Sequence, residues 1–343
     1  GDVATVSLSN ETWRLRMQRN HGLLARSFQH VLHHGDGHTE LAPGPEHCFY
    51  LGELENRSGD ITASLSTCNG QLSGMLMKGR QIFLIDPVFG TSDQYWLRAV
   101  NKQISQLQHD VLRFLAPKPS QGRRTAGATT KYIEVLVVND FARYTAFGGQ
   151  DGLVQLATHT VAVMNAVTAI YRKAPSDGAV FPYTVQVVLV AQHTFVSSDP
   201  WPNVKMVGAE VAEGDLLEAF LTWTSAEMAA GKLPENDNRV LLSGRDFVDS
   251  TVGYAFLSSL CEVSRSGSIN MCGATNNLMA DCATTVAHEL GHNFGMTHDS
   301  GSCPQTGYVM AATALNGEIV DQFSSCSVSD ITKFFSQTYQ KNG

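Results

Sequence analysis

The stretch HELGHNFGMTHD, from His288 to Asp299, places three histidines and a glutamate within one short window, and the spacing dictates both a local fold and a chemistry. Residues four apart on an α-helix share a face, so His288 and His292 can aim imidazole nitrogens at a single ion. The pattern therefore predicts a helix from about residue 282 to 294. Glu289, one step on from His288, is placed beside that ion as a general base toward a metal-bound water rather than as a ligand. Gly295 can take a left-handed conformation that ends the helix sharply and lets His298 swing back as the third ligand. A fourth coordination position is left for water, as in a catalytic zinc site. The alternative, a surface helix whose histidines face solvent, does not explain the fixed offsets of Gly295 and His298.

With 343 residues, 43% hydrophobic and 16% charged, the chain can bury a sizeable core and is long enough for about two domains. A net charge of -8 gives no basic footprint, so no nucleic-acid partner is expected. No run of eighteen or more apolar residues appears, so no membrane span is expected. The start, GDVATVSLSN, lacks a signal-peptide profile, as expected of a processed or engineered N-terminus. Cysteines argue the compartment instead. Cys48 and Cys68 stand in the first third, and Cys261, Cys272, Cys282, Cys303 and Cys326 crowd around the histidine motif, an unusual density for a cytosolic enzyme. With the sequons at Asn10 and Asn56 they favour the secretory route, hence a secreted protein or one on the extracellular side of a membrane. Seven is odd, so one cysteine has no partner within the chain.

Residues 115–130 are rich in Pro, Gly, Ser and Thr and separate two regions of different character, 1–124 and 131–343. This linker carries Arg123-Arg124, either a site for a trypsin-like protease or two solvated charges. Upstream, short apolar stretches alternate with Gly and Asn turns, which predicts a mostly β domain. Cys48 and Cys68 lie twenty apart with turn residues between them, and a bridge closing that loop is expected. Downstream, β-branched runs at 132–138, 183–190 and 239–243 alternate with helical periodicity at 152–171 and 216–228. That alternation predicts an α/β fold with a twisted, mostly parallel sheet flanked by helices.

The zinc motif with its glycine and third histidine resembles the metzincin proteases. Asp299 directly after His298 narrows the resemblance to the adamalysin or reprolysin branch, the ADAM and ADAMTS metalloproteases. Met310, within Tyr308-Val309-Met310-Ala311-Ala312, stands where that family has its Met-turn beneath the metal. Segments 131–140, 164–171, 237–244 and 251–256 with Cys261 are similar to further parts of these catalytic domains, and 251–256 resembles the strand along which an extended peptide substrate lies. Segments 47–52, 64–70 and 85–87 are similar to ADAM-type prodomains, so the resemblance implies a zymogen whose first 124 residues chaperone the catalytic domain and cover its cleft.

Several site residues follow only from this resemblance. Glu134 and Asp237 fall at positions where the family holds a structural calcium; read alone, both are ordinary surface carboxylates. Cys303 and Cys326 sit where the family bridges the segment after the third histidine to the C-terminal helix. Cys261 and Cys272 would then close a short loop and leave Cys282 over. Many such prodomains also place a free cysteine on the zinc. Here no cysteine lies between Cys68 and Cys261, so a Cys48–Cys68 bridge would imply latency without a thiolate switch.

The expected function is zinc-dependent hydrolysis of peptide bonds in extracellular or cell-surface proteins. A binding or adhesion module with a dormant protease domain is the alternative, disfavoured because every catalytic position is intact. Non-proteolytic zinc hydrolysis of a small molecule is disfavoured by the strand suited to an extended peptide.

Overall fold

The computed structural model describes residues 2–7, 12–54, 61–87, 94–100, 110–113, 129–173, 181, 183–201, 204–273, 279–312 and 319–338. Asn10, Asn56 and most of the 115–130 linker, with Arg123-Arg124, lie outside the described residues.

The first region is almost entirely β. It contains β1 (Asp2–Ser7), β2 (Thr12–Arg19), β3 (Leu24–His33), β4 (Thr39–Ala42), β5 (Phe49–Leu54), β6 (Ile61–Ser66), β7 (Ser73–Lys78), β8 (Gln81–Pro87), β9 (Gln94–Ala99) and β10 (Asp110–Arg113). Eight of these form an antiparallel sheet in the order β1-β2-β5-β6-β7-β8-β9-β10. Both of its faces are apolar, as the period of two allows. Met75, Met77, Ile82 and Leu84 point into the core shared with the second region, and Leu76 and Ile85 point the other way, into a separate core with Trp13, Leu15 and Ile61. Cys48 is bonded to Cys68, Cα atoms 5.2 Å apart, clamping the β5–β6 hairpin at the Phe49↔Ser66 pair.

The second region alternates strands and helices. Its elements are β11 (Thr129–Asn139), α1 (Phe141–Ala146), α2 (Leu153–Arg172), β12 (Tyr183–Phe195), the small hairpin β13 (Met206–Val207) and β14 (Glu210–Val211), α3 (Glu213–Ala229), β15 (Asn238–Ser243), β16 (Gly253–Ala255), β17 (Gly267–Met271), α4 (Met279–Asn293) and α5 (Ser325–Lys333). The sheet order is β16-β17-β15-β11-β12-β3-β4, parallel except for the two edge pairs, β16–β17 and β3–β4. The predicted α/β class is therefore observed. Alternate residues of β11 explain the layers: Val135 and Val137 face α2 and α4, while Leu136 and Val138 face Phe220 and Leu221 of α3.

The two regions are woven together. β3 and β4 belong to the first region by sequence, yet β3 pairs in parallel with β12 and extends the second region's sheet. Helix α2 is the other junction. From Thr160 to Tyr171 all but one of its residues are buried, because the sheet lies on one side and the eight-stranded sheet covers the other. Its length and hydropathy would suit a membrane, but here it is an interior helix. Asn165 pins this contact: its amide donates to the Tyr50 carbonyl at 3.0 Å and Ser64 Oγ at 2.9 Å, and its carbonyl accepts from Asn20 Nδ2 at 2.8 Å. Asn165→Ala strands three buried polar groups and should lower unfolding stability by about 2–3 kcal/mol. Urea denaturation checks this, and an unchanged midpoint would show that the junction does not depend on these bonds.

Candidate metal centre

Helix α4 is amphipathic, its buried side packing Ala283, Val286, Ala287 and Leu290 against α2 and the sheet. His288 and His292 consequently share one half-buried edge. The chain leaves the helix at Gly295, whose φ of 81° is left-handed, as the sequence required. A Cβ there would also lie 2.7 Å from Ser258 Oγ, so space and conformation both call for glycine.

The turn brings His298 back. Its Nε2 lies 3.2 Å from His288 Nε2 and 3.1 Å from His292 Nε2. The opposite ring nitrogens are committed elsewhere: His288 Nδ1 donates to the Val309 carbonyl and His292 Nδ1 donates to the Met296 carbonyl at 2.8 Å. Those bonds put the proton of each neutral ring on Nδ1 and leave the Nε2 lone pairs converging on one point. With His298 in the same tautomer all three Nε2 atoms are acceptors, an arrangement that a cation between them stabilises. Zn–N bonds of about 2.0–2.1 Å in tetrahedral geometry put neighbouring nitrogens about 3.3 Å apart, so the observed spacing fits zinc. Among the described residues this is the one group of three or more His, Cys, Asp or Glu side chains with ligand atoms this close. Burial holds His288 down to about 3 and His292 down to about 4, with the neighbouring histidines adding to the shift, so both rings are neutral as ligands must be.

Glu289 points to the other side of the same turn and is 4% exposed. Burial pushes its carboxyl up to about 8. A dication beside it pulls that value back down, so the ionised base and the metal depend on one another. β16 runs directly against this carboxylate. A Cβ at Gly253 would sit 2.4 Å from Glu289 Oε1, so only glycine lets the strand approach so closely. Among the described residues β16 hydrogen-bonds only β17 and no strand pairs with its other edge.

Met310 is fully buried beneath the histidines. A Cβ on Gly291, within the motif, would lie 2.6 Å from its Sδ, so the helix is notched to admit it. The Met310 carbonyl accepts from Asp299 N at 2.9 Å. The Asp299 carboxylate in turn accepts from Ser324 and Ser327, the hydroxyls at the start of α5. Asp299 thus ties the Met-turn to the last helix. Asn293 does the same for the end of β16, donating to the Phe256 carbonyl at 2.8 Å and accepting from Asn238 Nδ2 at 2.6 Å.

The cysteine pairing differs from expectation. Cys303 is bonded to Cys326, as the resemblance implied, but Cys272 is bonded to Cys282 and not to Cys261. Cys261 N donates to the Asp237 carbonyl and Cys272 N to the Ser243 carbonyl, at opposite ends of β15, which sets the two cysteines about 20 Å apart, well beyond disulfide reach. Cys282, in the first turns of α4, lies 5.3 Å from Cys272 by Cα. The unpaired cysteine is therefore Cys261, exposed, its thiol 3.5 Å from Asp237 Oδ1. Local desolvation of the sulfur, although the residue is exposed, and that carboxylate push the thiol up to about 12, so it stays protonated. Asp237 Oδ2 accepts the Glu134 backbone N–H at 2.9 Å, which brings together the two residues considered for calcium.

Residues 131–341 match the reprolysin (M12B) family of zinc metalloproteases, more than half of the chain. The chain belongs to the reprolysin family. Residues 5–55 match the reprolysin family propeptide, so this reprolysin carries prodomain sequence ahead of its catalytic domain. It is 29% identical over 364 aligned residues to mouse disintegrin and metalloproteinase domain-containing protein 12. That alignment takes in 96% of this chain but 37% of the relative, so the chain spans little more than a third of the relative's length. A solved chaperone–substrate complex aligns with 63% of this chain and 36% of its own at 14% identity, with a TM-score of 0.39, too low to bear on the fold.

Proposed function

We propose that this reprolysin is a latent zinc endopeptidase that hydrolyses extended peptide segments of extracellular or cell-surface proteins. The observation that carries the proposal is the convergence of three Nε2 lone pairs beside a buried carboxylate that abuts an unpaired strand edge. Zinc, when held by His288, His292 and His298, supplies the Lewis acidity that activates water and polarises the scissile carbonyl. Glu289 takes the proton from that water at its carboxylate and passes it to the leaving amine. The free edge of β16 holds the substrate backbone in register by adding it as a strand. The Val309 and Met296 carbonyls hold the ligand rings in one tautomer, and Asp299 and Met310 keep the floor of the site in place.

Latency rests on the prodomain acting as the chain's own inhibitor. The β7–β8 turn reaches the catalytic region at three places: the Gly79 carbonyl accepts from Gln322 Nε2 and from Lys173 Nζ at the end of α2, and the Arg80 guanidinium lies 5.2 Å from the centre of the Tyr308 ring, two residues before Met310. With Cys48 and Cys68 bridged, this cover works without a prodomain thiolate on the metal. The three disulfides support a secreted or extracellular location. Calcium beside Glu134 and Asp237 is a further part of the proposal, tested by calcium titration followed by thermal melting.

The deciding experiment is incubation of the protein, before and after cleavage of the 115–130 linker, with a peptide library, with and without a zinc chelator. Cleavage that appears after linker cutting and disappears with the chelator is the expected result. No cleavage of any peptide after linker cutting, with zinc bound, would favour a dormant adhesion module.

A further inference from the structure

The seam between β3 and β12 is unusually rich in histidine. In the parallel register His30 lies opposite Gln192, Val31 opposite His193 and His33 opposite Phe195. His33 Nε2 is 2.7 Å from His193 Nδ1. Two ring nitrogens that close share one proton, and a second proton would set two cations against each other. His30 Nε2 meets Thr194 Oγ1 at 3.0 Å. His30 and His193 are 1% and 3% exposed, and His30 Nδ1 and His193 Nε2 are buried without a hydrogen-bond partner. An added proton on His193 Nε2 would therefore find no acceptor, and one on His30 Nδ1 would meet the Pro43 backbone without completing a hydrogen bond.

Few surrounding groups would welcome a charge. The ring centres of Phe195 and Trp223 lie 4.7 and 5.8 Å from that of His33. Glu227 of α3 favours a charged His33, but it is paired with Lys232 at 3.2 Å, and Lys232 and His34 both oppose the charge. His34 has its own carboxylate, Glu40, at 3.5 Å. His193 faces only His33 and His30, both opposing. The Pro43 backbone favours a charged His30 without completing a bond to Nδ1.

We propose that this seam is a proton-operated latch: neutral His30, His33 and His193 hold the N-terminal region on the catalytic sheet, and mild acid loosens it. Burial holds His30 and His33 down to about 4 and His193 down to about 3, with the neighbouring histidines adding to the last. A released histidine titrates near 6.5. The sign follows: each folded value is below the released one, so the contribution is fully present above about pH 6.5 and is lost as pH falls toward 4. Between pH 7 and pH 5 the latch weakens about twentyfold for each histidine that titrates in this way.

The test is amide hydrogen exchange on the intact, uncut chain at pH 7 and pH 5, corrected for the pH dependence of exchange itself. Amides of 29–33 and 191–195 report the seam, and amides of 240–242 in the central strand β15 serve as control. Opening of the seam relative to the control should rise at least about twentyfold at pH 5, and the triple variant H30Q/H33Q/H193Q, which keeps none of the three latch histidines, should show a much smaller rise. A seam that follows the control at both pH values, or an undiminished rise in the variant, overturns the proposal. If the variant does not fold, ring resonances of the histidines in the native chain decide the matter. Seam histidines titrating below pH 5 support the latch, and values near 6.5 in the closed form refute it.

Discussion

Glu289→Gln should leave one zinc per chain and lower peptide turnover by about a thousandfold or more, the loss expected when a positioned general base is removed. The isosteric amide keeps the packing against Gly253 but cannot take a proton. The three ligand rings are untouched, because their orientation depends on the Val309 and Met296 carbonyls and not on this side chain. Metal analysis alongside kcat on a quenched peptide, after linker cleavage, separates the two functions. Undiminished turnover with full zinc would show that another group is the base.

Gly253→Ala should lower kcat by about a hundredfold with zinc retained. The added Cβ would stand 2.4 Å from Glu289 Oε1, 2.8 Å from its Cγ and 2.9 Å from its Cδ, so either the carboxylate or β16 must give way. A displacement of about 1 Å in a reacting group costs on the order of a hundredfold in rate. In the proposed mechanism the strand carries the substrate and the carboxylate the proton, so KM distinguishes which of them moved. A lower kcat at constant KM means the base was displaced. Wild-type kinetics in this variant would mean that β16 does not approach Glu289 during turnover.

What the sequence disclosed and what it hid differ by physical kind. His288, Glu289, His292, Gly295 and His298 are legible because all five sit in one segment, where helical spacing alone places them. The alternating strands and helices of 131–343 are legible for the same reason, since the period of an element is local. The acceptors of the ring protons, Val309 and Met296, act through backbone carbonyls, which carry no residue signature. Gly291 and Asn293 stand inside the motif, but their roles, admitting Met310 and tying down Phe256, depend on partners from elsewhere in the chain. The Cys272–Cys282 bridge became assignable only once β15 was seen to keep Cys261 away from Cys272. The largest difference concerns organisation: β3 joins β12 across some 160 residues, a parallel pairing that no local pattern announces. The eight-stranded sheet brought over α2 explains why that helix is buried almost all round from Thr160 to Tyr171, a property that periodicity alone leaves without a cause.

Zinc X-ray absorption on the full, uncut chain tests the central claim most directly. The ligand nitrogens of three histidines converge on one point, and the only prodomain cysteines, Cys48 and Cys68, are joined to each other. The predicted spectrum shows three nitrogen donors at about 2.0–2.1 Å and light-atom scattering completing the shell, with no sulfur. A sulfur ligand at about 2.3 Å, or zinc absent from the purified chain, would contradict it.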